Sequence, residues 1–123
     1  MDNVFINISN HPSSDWNEKQ LAAAKLYGSI IDIPFPSIDP NSGIDEITSL
    51  AESYYQKIMT YSNAVVMVQG EFTFSYSLIK RLRKAGLKVL ASCSIRRSDE
   101  TLNADGTVVK KSIFEFDNFR EYE

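Results

Sequence analysis

One cysteine, one histidine, one tryptophan and five glycines are spread through 123 residues. A lone Cys93 rules out an internal disulfide and leads us to expect a reducing, cytoplasmic setting. A lone His11, with no second cysteine and no carboxylate cluster at ligand spacing, gives no donor set for a metal site. Basic residues do not exceed acidic ones: 13 Lys and Arg face 16 Asp and Glu, for a net charge of −3. No overall positive field exists to hold duplex nucleic acid, although a local pocket on an acidic protein can still take a small nucleotide. No apolar run approaches the length of a membrane span. The acidic start Met1-Asp2-Asn3 does not read as a signal peptide. The Walker loop, G-x-G-x-x-G, G-x-S-x-G and H-E-x-x-H are all missing. Dinucleotide, NTPase, serine-hydrolase and zinc-protease readings lose support accordingly, and no cofactor is expected.

What is there is an ordinary globular composition, 43% hydrophobic and 24% charged. At this length it predicts one domain over 1–123. Val4–Ile8 reads as a central first strand. The polar cluster Ser9–Asp15 follows, and Asp15 with Glu18 suggests a capping-box start to a helix over Trp16–Tyr27, ended by Gly28. Ser29–Ile33 reads as a second strand, stopped by Pro34-Phe35-Pro36. A long helix is predicted over Ile44–Tyr61, with Ile44, Ile47, Ala51, Tyr54 or Tyr55, and Ile58 facing the sheet.

Val65-Val66-Met67-Val68 has no polar alternation, as expected of a strand buried on both faces. It stops at Gln69-Gly70, and a helix follows over Thr73–Ala85 with Phe74, Leu78 and Leu82 inward. The basic run Lys80, Arg81, Arg83, Lys84 complements that helix's C-terminal dipole. Leu87–Ser94 is a fourth strand, with Cys93 as a small buried residue. Arg96–Thr107 is polar, with a turn signal at Asn103-Ala104-Asp105-Gly106. Val108–Phe116 reads as a hairpin-like antiparallel edge strand, and Asp117–Glu123 as a tail.

This alternation predicts a Rossmann-like three-layer α/β sandwich with a mostly parallel sheet of about five strands. Right-handed crossovers make 2-1-3-4-5 the simplest order, with a C-terminal antiparallel edge strand. The switch point then falls between the first and third strands, where Ser9–Asp15 and Gln69–Thr73 emerge. Both segments open helices, whose unpaired N–H groups suit an anion or a polar ligand.

Each candidate residue has a functional and a structural reading. His11 is the sole imidazole, a general acid/base or a plain loop residue. Glu71 is a base, a ribose ligand, or a carboxylate placed on a helix dipole. Thr73 and Ser75 bind phosphate oxygens or cap the helix. Arg96 and Arg97, after the fourth strand, suit phosphate or simply solvate the surface. Trp16 and Phe72 stack on a base or belong to the core.

The segments Asn7-Ile8-Ser9-Asn10-His11-Pro12-Ser13 and Val68-Gln69-Gly70-Glu71-Phe72-Thr73, with the closing Arg96–Glu115 hairpin, resemble a known group. It is that of the small CARF (CRISPR-associated Rossmann fold) and ring-nuclease proteins of type III CRISPR loci. The resemblance implies a homodimer that binds a cyclic oligoadenylate in a pocket across the two-fold axis. Some members cleave that ring without metal to 2′,3′-cyclic phosphate products. Carried onto this chain, Ser9, Asn10, His11 and Ser13 line one wall. Gln69, Gly70, Glu71, Phe72 and Thr73 line the other, Arg96 or Arg97 lies near the phosphates, and His11 and Glu71 are the catalytic candidates. Neither loop holds a basic residue, which favours binding over cleavage. Two other classes stay open: a deoxyribosyltransferase-like enzyme using Glu71 on nucleosides or nucleotides, and a non-enzymatic interaction domain.

Overall fold

In a computed structural model describing residues 2–123, nine short segments build a five-stranded sheet with helices on both faces. Strand β1 is Asn3–Ser9, followed by a 3-10 turn at Ser13–Asp15 and helix α1 at Glu18–Lys25. Then come β2 (Ser29–Asp32), α2 (Ile44–Ile58), β3 (Asn63–Gln69), α3 (Phe72–Lys84), β4 (Lys88–Leu102) and β5 (Val108–Glu121). The order is β2-β1-β3-β4-β5. The first four strands run parallel and β5 is antiparallel at the edge. The predicted α/β class, strand order and antiparallel edge are those of the structure.

Alternate residues of the central strands feed two cores. Val4, Ile6 and Ile8 of β1 and Val66 and Val68 of β3 pack beneath α2 and α3, against Ile47, Ala51, Ile58, Phe74, Leu78 and Leu82. Phe5 and Met67 point to the other face, where α1 contributes only Ala24 to the buried set. The layers are unequal: α2 and α3 have 15 and 13 residues, and α1 has 8. At 1.5 Å per residue, α1 is about 12 Å long. It leaves part of its sheet face uncovered, and that gap is where the site lies.

Several boundaries differ from expectation. Asp15 does not cap α1, because Asp15 N–H donates to Pro12 O at 2.9 Å within the 3-10 turn. Asn17 is the cap, its side chain accepting from Gln20 N–H at 2.9 Å. Ile44 does not face the sheet: it is the first residue after the Gly43 N-cap and is 71% exposed. Gly28 does more than end a helix, since a Cβ there would overlap the Asn3 backbone. Among the described residues, no helix is long and apolar enough to cross a membrane.

The largest departure is at the C-terminal end. Arg96–Leu102 continues β4, and Asp117–Glu121 continues β5. β4 pairs with β3 only through Lys88–Leu90 but with β5 all the way to Leu102. The outer part of the pair is therefore a two-stranded ribbon reaching beyond the carboxyl edge of the parallel sheet. A bulge sets it off, because Cys93 pairs with Asn118 while Ser94 pairs with Phe116. The extra residue, Asp117, turns Phe116 and Phe119 to the same face, their ring centroids 4.8 Å apart. Tyr122 then anchors the strand end from the opposite face, donating its hydroxyl to Val68 O at 2.9 Å.

Candidate functional site

At the switch point Ser9 and Gln69 are register partners, the last residues of β1 and β3. Beside them, in the gap left by α1, is an open cleft of about 780 Å³. That volume lies in the range of small-molecule sites. Met67 is the buried strand residue at its base. Ser9, Asn10, His11 and Gln69-Gly70 line one part, Trp16, Asn17 and Gln20 another, and Ser92, Ser94, Phe114 and Phe116 of the ribbon root a third.

The His11 loop is held by a network that starts in the sheet. Asn7, 2% exposed, donates through Nδ2 to Asp32 Oδ1 at 2.8 Å and to His11 O at 2.9 Å. Ser9 Oγ donates to Asn7 Oδ1 at 2.7 Å, and Trp16 Nε1 donates to His11 O at 3.2 Å. Ser13 closes the circuit, its N–H and Oγ donating to Asp32 Oδ1 and Oδ2 at 3.1 and 2.7 Å. Burial pushes the Asp32 carboxyl up, but the bonds from Ser13 and Asn7 outweigh it and hold the group below its usual range. The main chain at His11 is thus fixed, while its side chain is exposed at the border of the cleft and takes no hydrogen bond from any described residue.

Gln69 is oriented as well. Its Oε1 accepts from Ser92 N–H at 2.7 Å, so its amide NH₂ is the end left for a ligand. Gly70 lies against Phe35, and a Cβ at that position would overlap the Phe35 ring.

Not all of the anticipated residues converge here. Ser9, Asn10, His11, Gln69 and Gly70 do. Ser13 faces Asp32 instead. Glu71 turns back on its own helix as the N-cap of α3, accepting from Thr73 N–H at 2.9 Å and Phe74 N–H at 2.8 Å. The Thr73 hydroxyl donates to the same carboxylate at 2.6 Å. These bonds, with the Thr73 hydroxyl foremost, hold the Glu71 carboxyl below its usual range. The start of α3 is consequently no anion site, because its own carboxylate fills it, and Glu71 is neither a free base nor a poised nucleophile. Phe72 is 89% exposed and lies with Thr73 and Tyr76 beside α2, outside the cleft.

The arginines sit on the ribbon. Arg96 is opposite Phe114, on the cleft's face but two residue pairs farther out than Ser94 and Phe116, and donates to Ser112 Oγ at 3.2 Å. Arg97 points to the other face and pairs with Glu115 at 3.3 Å. The missed residues are Trp16's neighbours Asn17 and Gln20 and, on β4 and β5, Ser92, Ser94, Phe114 and Phe116. The bulge at Asp117 puts Phe114 and Phe116 on the face that carries Ser92 and Ser94, and the sequence carried no turn signal for it.

Residues 3–120 match one family model along almost the entire chain, from β1 to the end of β5. The chain belongs to the uncharacterized protein MJ1673 family. Among curated proteins none matches it. For this MJ1673-family chain, the chemistry has to be read from the cleft. Its lining is mostly neutral: carboxamides of Asn10, Asn17, Gln20 and Gln69, hydroxyls of Ser9, Ser92 and Ser94, and the rings of Trp16, Phe114 and Phe116. Asp15 is the carboxylate among the lining residues, and no Lys or Arg is one of them. Among the described residues, no group of three His, Cys, Asp or Glu side chains could hold a metal ion.

Proposed function

We propose that the cleft binds a nucleotide through its bases, and that the ligand is a cyclic oligoadenylate of the kind the CARF and ring-nuclease resemblance implies. The observation that carries this reading is the pairing of ring faces with carboxamides at the switch point. Aromatic side chains stack on a base irrespective of charge, while amide donors and acceptors read its polar edge. Phosphates are left to Arg96 and the solvent, so affinity comes from bases more than from charge.

Cleavage within such a site needs no metal. A ribose 2′-oxygen attacks the adjacent phosphorus, its P–O bond forms as the P–O5′ bond breaks, and a 2′,3′-cyclic phosphate and a 5′-hydroxyl result. His11 is the group that can give the departing 5′-oxygen a proton, while the 2′-hydroxyl proton leaves to solvent. The lining offers no cation to stabilise the phosphorane charge, so we expect tight binding with slow turnover or none. The nucleoside-enzyme alternative loses its nucleophile, since Glu71 caps α3.

Trp16 is the one tryptophan of the chain and borders the cleft, so its fluorescence reports occupancy. Titration with cyclic tri-, tetra- and hexa-adenylate should quench or shift that emission for one ring. Asn10→Ala and Gln69→Ala should each weaken the response by about tenfold, one hydrogen bond to a base edge. Chromatography of the same mixtures should show intact ring or a slow rise of linear product that His11→Ala abolishes. A flat titration with all three rings sinks the reading.

A further inference from the structure

The ribbon presents a strand edge without a partner. On the side of β4 facing away from β5, the Ser92 N–H goes to Gln69 Oε1, Cys93–Leu102 has no strand partner among the described residues, and Ser94–Leu102 is exposed throughout. At roughly 3.3 Å per residue this edge runs about 30 Å. Two-stranded ribbons of this kind are at best marginally stable in water, and a long free edge invites another strand. The ribbon also exposes Ile95, Leu102, Val108, Val109 and Phe114.

Charge along that edge selects the occupant. The run is Arg96-Arg97-Ser98-Asp99-Glu100, two cations, a serine, two anions. Laid antiparallel on a copy of itself about Ser98, Arg96 falls opposite Glu100 and Arg97 opposite Asp99, twice over. Laid parallel in register, like charges face each other, which is unfavourable. We propose that two copies of this chain join through their β4 edges about a two-fold axis at Ser98. The arms then form one four-stranded antiparallel sheet, β5-β4-β4-β5.

The flanking strand reinforces the match. Lys110 lies across from Glu100, with an ion pair at 3.6 Å, and Lys111 lies across from Asp99. In the paired sheet each β4 anion sits between a lysine of its own chain and an arginine of the second copy. The outer edge of β5 does not offer the same match: laid antiparallel about Ser112, Lys110 and Lys111 fall opposite Phe114 and Ile113, and lysines on an edge are a common device against strand addition. With Ser94 opposite the second copy's Leu102, the second copy's turn at Asn103–Thr107 reaches the end of β3 near Gln69. Each chain keeps its own cleft, with its rim completed by the other chain, in contrast to one pocket shared across the axis. The pairing stands whatever the cleft binds.

Complementary charge variants test it on the full chain. Arg96→Glu with Arg97→Asp makes the edge wholly acidic, and Asp99→Arg with Glu100→Arg makes it wholly basic. In native mass spectrometry and sedimentation, the unmodified chain should be a dimer, and each variant alone a monomer. An equimolar mixture should restore the dimer as a heterodimer, since every pair across the axis is then opposite in sign. All four positions are exposed, and circular dichroism checks that the variants remain folded. A monomeric parent at tens of micromolar, or variants that stay dimeric alone, overturns the proposal. A mixture that stays monomeric overturns the register.

Discussion

Among individual residues, the clearest lesson is how a loop signature divides into ligand-facing and fold-facing halves. Ser9, Asn10 and His11 border the cleft, but Asn7 and Ser13 spend their polar atoms on Asp32. Gly70 divides the same way. A glycine after a strand suggests close approach by a phosphate, yet here the approach is by Phe35, which also stacks edge-on against Phe74 at 5.2 Å. Gly70→Ala should therefore cost about 1–3 kcal/mol in urea unfolding, the usual range for overpacking. In a Phe35→Leu background the added cost should shrink markedly. An equal cost in both backgrounds would show that backbone conformation, not the ring, demands glycine. None of this was legible in the sequence, because Phe35 and Gly70 meet only when β3 and the chain after β2 come together.

At the scale of elements, the periodic helices were legible and the ribbon was not. Phe74, Leu78 and Leu82 stand one turn apart, and α3 buries all three. α2 likewise buries Ile47, Ala51 and Ile58, as spacing requires. In contrast, Ser94–Leu102 lacks the alternation of a half-buried strand, since both of its faces are wet. Its strand character comes from thirteen-fold registry with β5, Leu90–Leu102 against Val108–Glu121, which is a property of the pair. Because the ribbon adds little to either core, it should be separable. Arg97 pairs directly with Ile113, so replacing 98–112 by Asn-Gly leaves a two-residue hairpin turn. This variant should keep its melting temperature within a few degrees while losing the dimer. A collapse of the melt would mean that the ribbon supports the sheet.

For the molecule as a whole, stability is coupled to pH through carboxylates held below their usual range, Asp32, Glu52, Glu71 and Asp105, of which Asp32 and Glu71 hold the segments at the switch point. Asp32 and Glu71 both titrate below their usual range in the folded chain, Asp32 against burial through Ser13 and Asn7, Glu71 through Thr73 and Phe74. A lowered folded value means that the folded state binds protons less readily than the unfolded one. Their stabilisation is therefore complete above the unfolded carboxylate range, about pH 4–4.5, and is lost as pH falls through the folded values. Thermal melts from pH 7 to pH 3 should show a drop that Asp32→Asn and Glu71→Gln each reduce, beginning from a lower melting temperature at neutral pH. An unchanged acid limb in both variants would place the sensitivity elsewhere.

The sequence by itself determined the layer order, the parallel core strands and the position of the switch point. Those follow from local signals, namely runs of Val and Ile, turns with glycine or proline, and amphipathic spacing, each readable within about fifteen residues. Tertiary structure alone decided which polar groups remain free for a ligand. Glu71 and Asp32 were equally available as carboxylates until folding gave one a helix end and the other a loop to hold. The cleft exists because an eight-residue helix cannot cover a face that two longer helices cover on the other side. Burial and hydrogen-bond satisfaction are settled between distant segments, so no local pattern records them.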